Sequence, residues 1–357
     1  MSGPLSAGDL IGDRYEVRGD VGEGGMQFVY AAHDKHTDRI VALKTPKIRS
    51  AVKRFKRSAV VAAKVNHPNV AKTLDYVRDG EARYLIEELI EGEDLQKALL
   101  QRTSVLDPYS AAKVFHHLAK GVAAAHHAGV VHRDLKPTNI MVVGGYSLNE
   151  LKVTDFGIAK MAGEELDEAV AGGETTMSAS QTVVGALPYM APEAIDTDTH
   201  GEAESPSDVW SVGAMMFHLI CGEPPFGSGL KAVGKILAAN KPIAPTFLTS
   251  NPQFSPLATE VLELALTCLQ RDPALRPTSD DLVKSCGQFC YTSGMRREGV
   301  VKLIQHGAWG FIETDGADVF FHLSSVYGPR RVSVGDRVVF AAYEGRALPV
   351  IALGPES

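Results

Sequence analysis

The chain changes its periodicity twice, and that partition limits the folds open to it. Residues 14–45 hold short alternating runs, "DRYEVRGDV", "QFVYAAHD" and "DRIVALKTP", which read as strands separated by a glycine turn and a polar turn. "AVKRFKRSAVVAAKV" has helical spacing with a basic face and is broken by "HPN" at 67–69. "AKTLDYVRDG" and "ARYLIEELI" then read as a hairpin closing a small sheet. After "EGEDL" the pattern lengthens. "DPYSAAKVFHHLAKGVAAAHHAG" predicts a long helix opened by Asp107-Pro108 and closed near Gly129. Strand-like pieces surround "HRDLKPTNI" and "LKVTDFG", and helices dominate from about 205 to 285. Beyond a second change at 287–298, "GVVKLIQ", "GFIETD", "DVFFHLSS", "DRVVFAAYE" and "ALPVIALG" are short strands at close spacing, the pattern of a small barrel. The partition specifies an α+β chain followed by an all-β unit.

Other whole-chain properties narrow the class. A length of 357 residues with 45% apolar content supports two or three packed domains. A net charge of -7 argues against a chain that binds nucleic acid as a polycation. The N-terminus lacks a basic-then-apolar signal pattern, and the longest apolar run, near 212–221, is too short to span a bilayer. The expected location is therefore cytoplasmic, with no membrane partner. Four cysteines, Cys221, Cys268, Cys286 and Cys290, are too few for a disulfide scaffold. Cys286 and Cys290 have a spacing that suits one helix face. Residues 163–182 are polar, rich in Gly, Ser, Thr and Glu, and expected to be mobile.

"VGEGGMQFVY" (21–30) begins as a phosphate-cradling G-x-G, but Gln27 stands where a third glycine is due. Alone this is weak evidence. Four downstream motifs change its weight: Lys44 in "VALK" on a predicted strand, "HRDLKPTN" at 132–139, "DFG" at 155–157 and "APE" at 191–193, in that order.

This ordered set resembles the protein kinases over residues 14–286, and "GEGGM", "HRDLKPTNI" and "GALPYMAPE" most resemble the bacterial eukaryotic-type (Hanks-type) Ser/Thr kinases. The resemblance implies a bilobal kinase fold, ATP and Mg²⁺ as cofactors, and protein substrates with Ser/Thr acceptors. Phosphoryl transfer needs positioning and charge neutralisation more than covalent help. Asp134 is placed to accept the substrate hydroxyl proton, and Lys136 to reach the transferring phosphate. Asn139 and Asp155 offer the hard oxygens that Mg²⁺ prefers. The ATP-binding set implied is Val21, Gly22, Glu23, Gly24, Gly25, Val29, Ala42 and Lys44, with backbone groups of Glu88 and Ile90 at the adenine hinge. Glu193 with Arg276 matches the family's buried brace, and Asp208 the residue that steadies the catalytic loop. His126 and His127, adjacent on a helix, point apart and read as ordinary helix residues.

Four positions depart from the family pattern. If position 27 requires a positive φ, Gln27 costs about 1–2 kcal/mol. Counting nine residues back from His67 reaches Ser58, where the family carries the helix-C glutamate, and Ser50–Asn66 holds no acidic residue at all. Glu87 falls at the gatekeeper, usually apolar or hydroxylic. It faces the same back pocket as Lys44, where two unit charges about 4 Å apart at an effective dielectric near 20 gain roughly 4 kcal/mol. Glu87 is therefore expected to replace the lost partner, the alternative being that it turns to solvent and Lys44 meets only phosphate. Ala186 stands where a threonine commonly bonds to the catalytic Asp and Lys. Thr175, Thr176, Ser178, Ser180 and Thr182, just before "GALPYM", are candidate phosphorylation sites, with Arg133 as a cation suited to capture a phosphate.

The tail resembles a cold-shock domain, a five-stranded OB barrel. Lys302, Trp309, Phe311, Phe320 and His322 fall on positions that implicate single-stranded RNA or DNA, the alternative being a barrel reused for protein contact. The family's aromatic pair is replaced by Leu303 and Ile304. Seven Lys/Arg against seven Asp/Glu in 296–357 give little electrostatic pull on phosphates. The domains expected are an N-terminal extension (1–13), a Ser/Thr protein kinase domain (14–286), a linker (287–297) and a cold-shock-like domain (298–354). The residues leave two other readings open: a low-activity kinase or pseudokinase scaffold, and an RNA-binding regulator controlled by its kinase domain.

Overall fold

The computed structural model describes residues 3–23, 27–47, 59–156, 185–196, 204–291 and 294–354. They form two lobes and a closed barrel. The first lobe is an antiparallel sheet of β1 (Leu10–Ile11), β2 (Tyr15–Glu23), β3 (Gln27–Asp34), β4 (Arg39–Pro46), β5 (Thr73–Asp79) and β6 (Ala82–Glu88), in the order β1-β2-β3-β4-β6-β5. Alternation along these strands turns Tyr15, Val17, Tyr30, Ala32, Leu43 and Ile86 to one small core. Leu10–Ile11, in the segment read as an extension, pairs with β2 as an edge strand. Of the helix expected over 50–66, residues 59–62 are described and helical; Ser58 lies outside the described residues.

In the second lobe, α1 (Pro108–His127) starts at the Asp107-Pro108 signal. The Asp107 carboxylate accepts from the Tyr109 and Ser110 amides, and Pro108 occupies the first helical position. Its buried stripe of Ala111, Phe115, Leu118 and Val122 packs on α2 (Ser205–Cys221) and α4 (Ser279–Cys286), with α3 (Ser255–Cys268) against α2. The core of this lobe is the largest in the molecule, and the side chain of Trp210 is fully buried in it. Helix α4 ends at Cys286, so Cys290 does not share its face. Cys221, Cys268 and Cys286 are buried thiols, and Cys290 is exposed. A three-stranded sheet, β7 (Glu93–Asp94), β8 (Ile140–Val143) and β9 (Glu150–Val153), brackets α1 in sequence and carries the catalytic motifs at its ends. No helix among the described residues is long and apolar enough to cross a membrane.

The third unit is a closed barrel of β10 (Arg296–Gln305), β11 (Trp309–Glu313), β12 (Val319–His322), β13 (Arg337–Tyr343) and β14 (Arg346–Ala352). The strand order is β10-β11-β12-β14-β13, with β12 and β14 parallel and the other pairs antiparallel. Val301, Ile312, Phe321, Val338, Phe340 and Val350 fill its interior. Gly310 is required where β10, β11 and β12 meet: a Cβ there would press on the Leu303 carbonyl and come within 2.8 Å of the Phe321 ring. β10 begins at Arg296, two residues inside the stretch read as linker.

The barrel is seated on the second lobe. Tyr327, 2% exposed, belongs to that lobe's core, its ring 5.1 Å from Phe254 and 5.9 Å from Phe247. Arg296 reaches the α1 cap, with Nη2 3.0 Å from the Asp107 carboxylate and 3.0 Å from Ser110 Oγ. The Arg296 amide donates to Ser147 Oγ, Asn251 Nδ2 to the Ser324 carbonyl, and the Gly354 amide to the Arg102 carbonyl. None of this seam is marked in the sequence by periodicity or motif.

Candidate active site

The β8–β9 hairpin builds the centre. Ile140 pairs with Val153, so the residue before β8 and the loop after β9 are neighbours. Asn139 and Asp155 thus come together from opposite ends of the hairpin, with the Thr154 amide donating to the Asn139 carbonyl. Asn139 Nδ2 donates to the Asp134 carbonyl at 2.7 Å and to Asp134 Oδ2 at 3.0 Å. Lys136 Nζ donates to the same carboxylate oxygen at 2.7 Å. One carboxylate, one amine and one amide are thereby tied into a single loop.

This loop is held from beneath. Asp208 at the start of α2, 1% exposed, accepts from the His132 and Arg133 amides at 2.8 Å each, and His126 Nε2 lies 2.9 Å from it. Arg133 and Asp155 both hold left-handed backbones, at φ 70° and 62°, which for residues with a Cβ are sustained only by surroundings that over-determine them. Lower down, Glu193 and Arg276 form a bidentate pair at 2.6 and 2.9 Å. His127 meets Asp280, near the surface.

Lys44 sits between two carboxylates, with Nζ 2.7 Å from Glu87 Oε2 and 2.8 Å from Asp155 Oδ1. Burial disfavours its charge, but the facing Asp155 and Glu87 outweigh burial and hold Lys44 above its ordinary range. The same competition divides the two acids. For Glu87 burial wins over Lys44 and the carboxyl is raised; for Asp155 the lysine wins over burial and it is lowered. Asp155 is thus the readier of the two to stay ionised. Its carboxylate and the Asn139 carboxamide are the kind of oxygen donors that Mg²⁺ takes together with substrate phosphates.

Around this pocket, Val29 is paired with Lys44 and with Gly22, and Ala42, 5% exposed, is paired with Glu87. Val21, near the end of β2, is exposed. Gly24 and Gly25 lie outside the described residues, as does the Glu23 side chain. Glu88 is fixed by the Lys72 amide at 2.8 Å and by Lys152 at 2.7 Å, and the Ile90 carbonyl accepts from the Gly92 amide. The conditional cost assigned to Gln27 does not arise: it lies in β3, outside the left-handed region, with its side chain buried and Oε1 without a partner among the described residues. Ala186 is buried at the start of a 3₁₀ turn. Thr175, Thr176, Ser178, Ser180 and Thr182 lie outside the described residues.

On the barrel, the two-residue period sends Gly310, Ile312 and Phe321 inward and Trp309, Phe311, Phe320 and His322 outward. Trp309 is paired with His322 and Phe311 with Phe320, which assembles one cluster with ring centroids 5.8–6.0 Å apart. Lys302 is shared between Asp318 at 2.8 Å and Glu313 at 3.9 Å, so its charge is largely answered within the barrel. Sequence reading missed Arg346, which the parallel β12–β14 pairing sets beside Phe320, and the exposed Tyr343 paired with it. Only the cross-strand register reveals them.

Residues 15–286 match the family described as "Protein kinase domain". The chain is 31% identical over 283 residues to "Serine/threonine-protein kinase PrkC" of Bacillus subtilis, spanning 77% of this chain and 40% of that protein. It is 33% identical over 275 residues to "Serine/threonine-protein kinase PknL" of Mycobacterium bovis, spanning 75% and 63%. The alignments thus span less than two thirds of either relative. Among solved structures, "Crystal structure of Rad53 1-466 in complex with AMP-PNP" superposes with a TM-score of 0.56 at 22% identity, over 76% of this chain and 64% of that one, a likeness of fold.

Proposed function

The chain belongs to the protein kinase family, and from that premise we propose that it transfers the γ-phosphate of ATP to serine or threonine hydroxyls of proteins. The observation that carries this reading is the bonded loop of Asp134, Lys136 and Asn139, with Asp155 and Lys44 beside it. Asp134 accepts the hydroxyl proton, Lys136 answers the charge on the transferring group, and Lys44 orients the α/β-phosphates. Asn139 and Asp155 would hold Mg²⁺, which supplies further charge neutralisation at the phosphates. Incubating the full chain with γ-labelled ATP, Mg²⁺ and a protein acceptor should place label on serine or threonine. Absence of transfer by a protein that still binds an ATP analogue would favour the scaffold reading.

The same reaction tests self-modification. Phosphate is expected within residues 175–182, with Arg133 as the cation that the family resemblance suggests for its capture. Mass spectrometry of the digested protein reads it directly. Unmodified peptides from an active enzyme would discard this assignment.

We also infer that the barrel is a cold-shock-like OB unit that takes single-stranded RNA or DNA. Support comes from five strands with the aromatic cluster on the second and third, the face such barrels use for oligonucleotides. Each stacked base is worth roughly 1–3 kcal/mol, and a barrel with little net charge keeps the affinity modest and its weakening by salt shallow. Of the two tryptophans, Trp210 is fully buried, so quenching on adding oligonucleotide to the full chain reports Trp309. For binding studies in the full chain, Phe311→Ala with Phe320→Ala, which spares this reporter, should abolish the quenching. Unchanged affinity in that variant would turn the cluster into a protein-contact face.

A further inference from the structure

One of the two acids that meet Lys44 comes from its own sheet. Lys44 pairs with Leu85 across β4 and β6, and Ala42 pairs with Glu87. Glu87 is therefore the diagonal neighbour of Lys44 on the same face, within reach of two long side chains. Both are enclosed, with side-chain exposures of 9% for Lys44 and 5% for Glu87. A carboxylate so placed is tolerated only with a partner. The segment Ser50–Asn66, which in a kinase of ordinary design supplies the acid for this lysine, has none.

We propose that Glu87 is the positioning residue for Lys44, so that the lysine is set by the hydrogen-bonded sheet itself and not by the placement of the preceding helix. The proposal rests on the kinase reading. Its physical consequence concerns Asp155, the second partner of Lys44 and the carboxylate placed to meet Mg²⁺. With Glu87 present, Asp155 can leave the lysine without stranding it. Without Glu87, Lys44 and Asp155 hold each other alone, and metal must compete with that pair. A kinase built this way does not gate its lysine by swinging a helix.

The full-length wild type is compared with Glu87→Met, Glu87→Gln and Glu87→Met combined with Ser58→Glu. The readouts are thermal melting, kcat and KM for ATP, and calorimetric titration of AMP-PNP at a series of Mg²⁺ concentrations. Both single variants should lose about tenfold or more in kcat, which is 1.36 kcal/mol of transition-state stabilisation. The Mg²⁺ concentration needed for half-maximal AMP-PNP binding should rise severalfold, and Ser58→Glu should recover much of the rate by restoring an acid from the helix side. A merely structural pair would lower melting without moving the metal dependence. Folded Glu87 variants with wild-type kcat, or with reduced kcat but unchanged Mg²⁺ dependence and no rescue, overturn the proposal. If Glu87→Met fails to fold, Glu87→Gln, which keeps the shape, decides the point. If the wild type itself transfers nothing, the kinase reading falls, and the AMP-PNP titrations still decide the role of Glu87.

Discussion

Replacing Asp134 by Asn should lower kcat by about 10²–10⁴-fold, the range for loss of a positioned general base. The change is isosteric, and the loop keeps its supports: Asp208 still accepts from the His132 and Arg133 amides, and Asn139 still donates to the carbonyl of residue 134. Melting and ATP-analogue affinity should therefore stay near wild type while turnover collapses. Steady-state kinetics beside calorimetry separates the two. A parallel loss of binding would show that Asp134 acts mainly as a structural anchor for Lys136.

Arg276→Ala should strongly destabilise the second lobe. The guanidinium is fully enclosed and serves five acceptors: both Glu193 oxygens and the carbonyls of Gln270, Pro206 and Arg271. It also lies 5.0 Å above the Trp210 ring. Removing it leaves Glu193 buried and uncompensated, a loss of about 3–5 kcal/mol. At roughly 2–4 °C per kcal/mol for a domain of this size, melting should fall on the order of 10 °C. Arg276→Lys should recover little, because an ammonium cannot reproduce the planar fork. The carboxyl of Glu193 is lowered, its burial overcome by Arg276 and Ser207. The stability it contributes is therefore present above its unfolded value and is lost as pH falls through the folded one. Wild type should accordingly lose part of its margin over Arg276→Ala in acid, and a margin independent of pH would count against the ion pair as its source.

The kinase fold was legible because its motifs carry their chemistry in contiguous residues: "HRDLKPTN" and "DFG" occupy the two ends of one hairpin, and the turn signals around α1 are local. The meeting of Lys44 with Glu87 is readable for a related reason. An acid missing from one segment and surplus in another, both mapped to one pocket, leave a pair that period-two geometry can close. Gln27 marks a limit of motif reading. Its cost is conditional on a glycine-type backbone, and strand β3 extends through that position, so the condition is not met. The seating of the barrel escaped notice entirely. Tyr327 stands in an irregular loop, and a single aromatic outside any period announces neither its depth nor its partners. Arg346 comes beside Phe320 through the parallel β12–β14 pairing, information that is not local to any stretch of sequence, and Tyr343 follows it across the antiparallel β13–β14 hairpin.

The buried tyrosine has a thermodynamic corollary. A hydrophobic core shared by two units couples their unfolding, so the barrel and the lobe beneath it exchange stability as one cooperative body. Any molecule that binds the folded barrel then adds RT ln(1 + [L]/Kd) to the whole, and the catalytic lobe inherits the gain without being touched. Cutting the chain after α4 would do the reverse. It would uncover Phe247 and Phe254, leave Asp107 without Arg296, and turn a self-contained catalytic lobe into one with an open apolar socket.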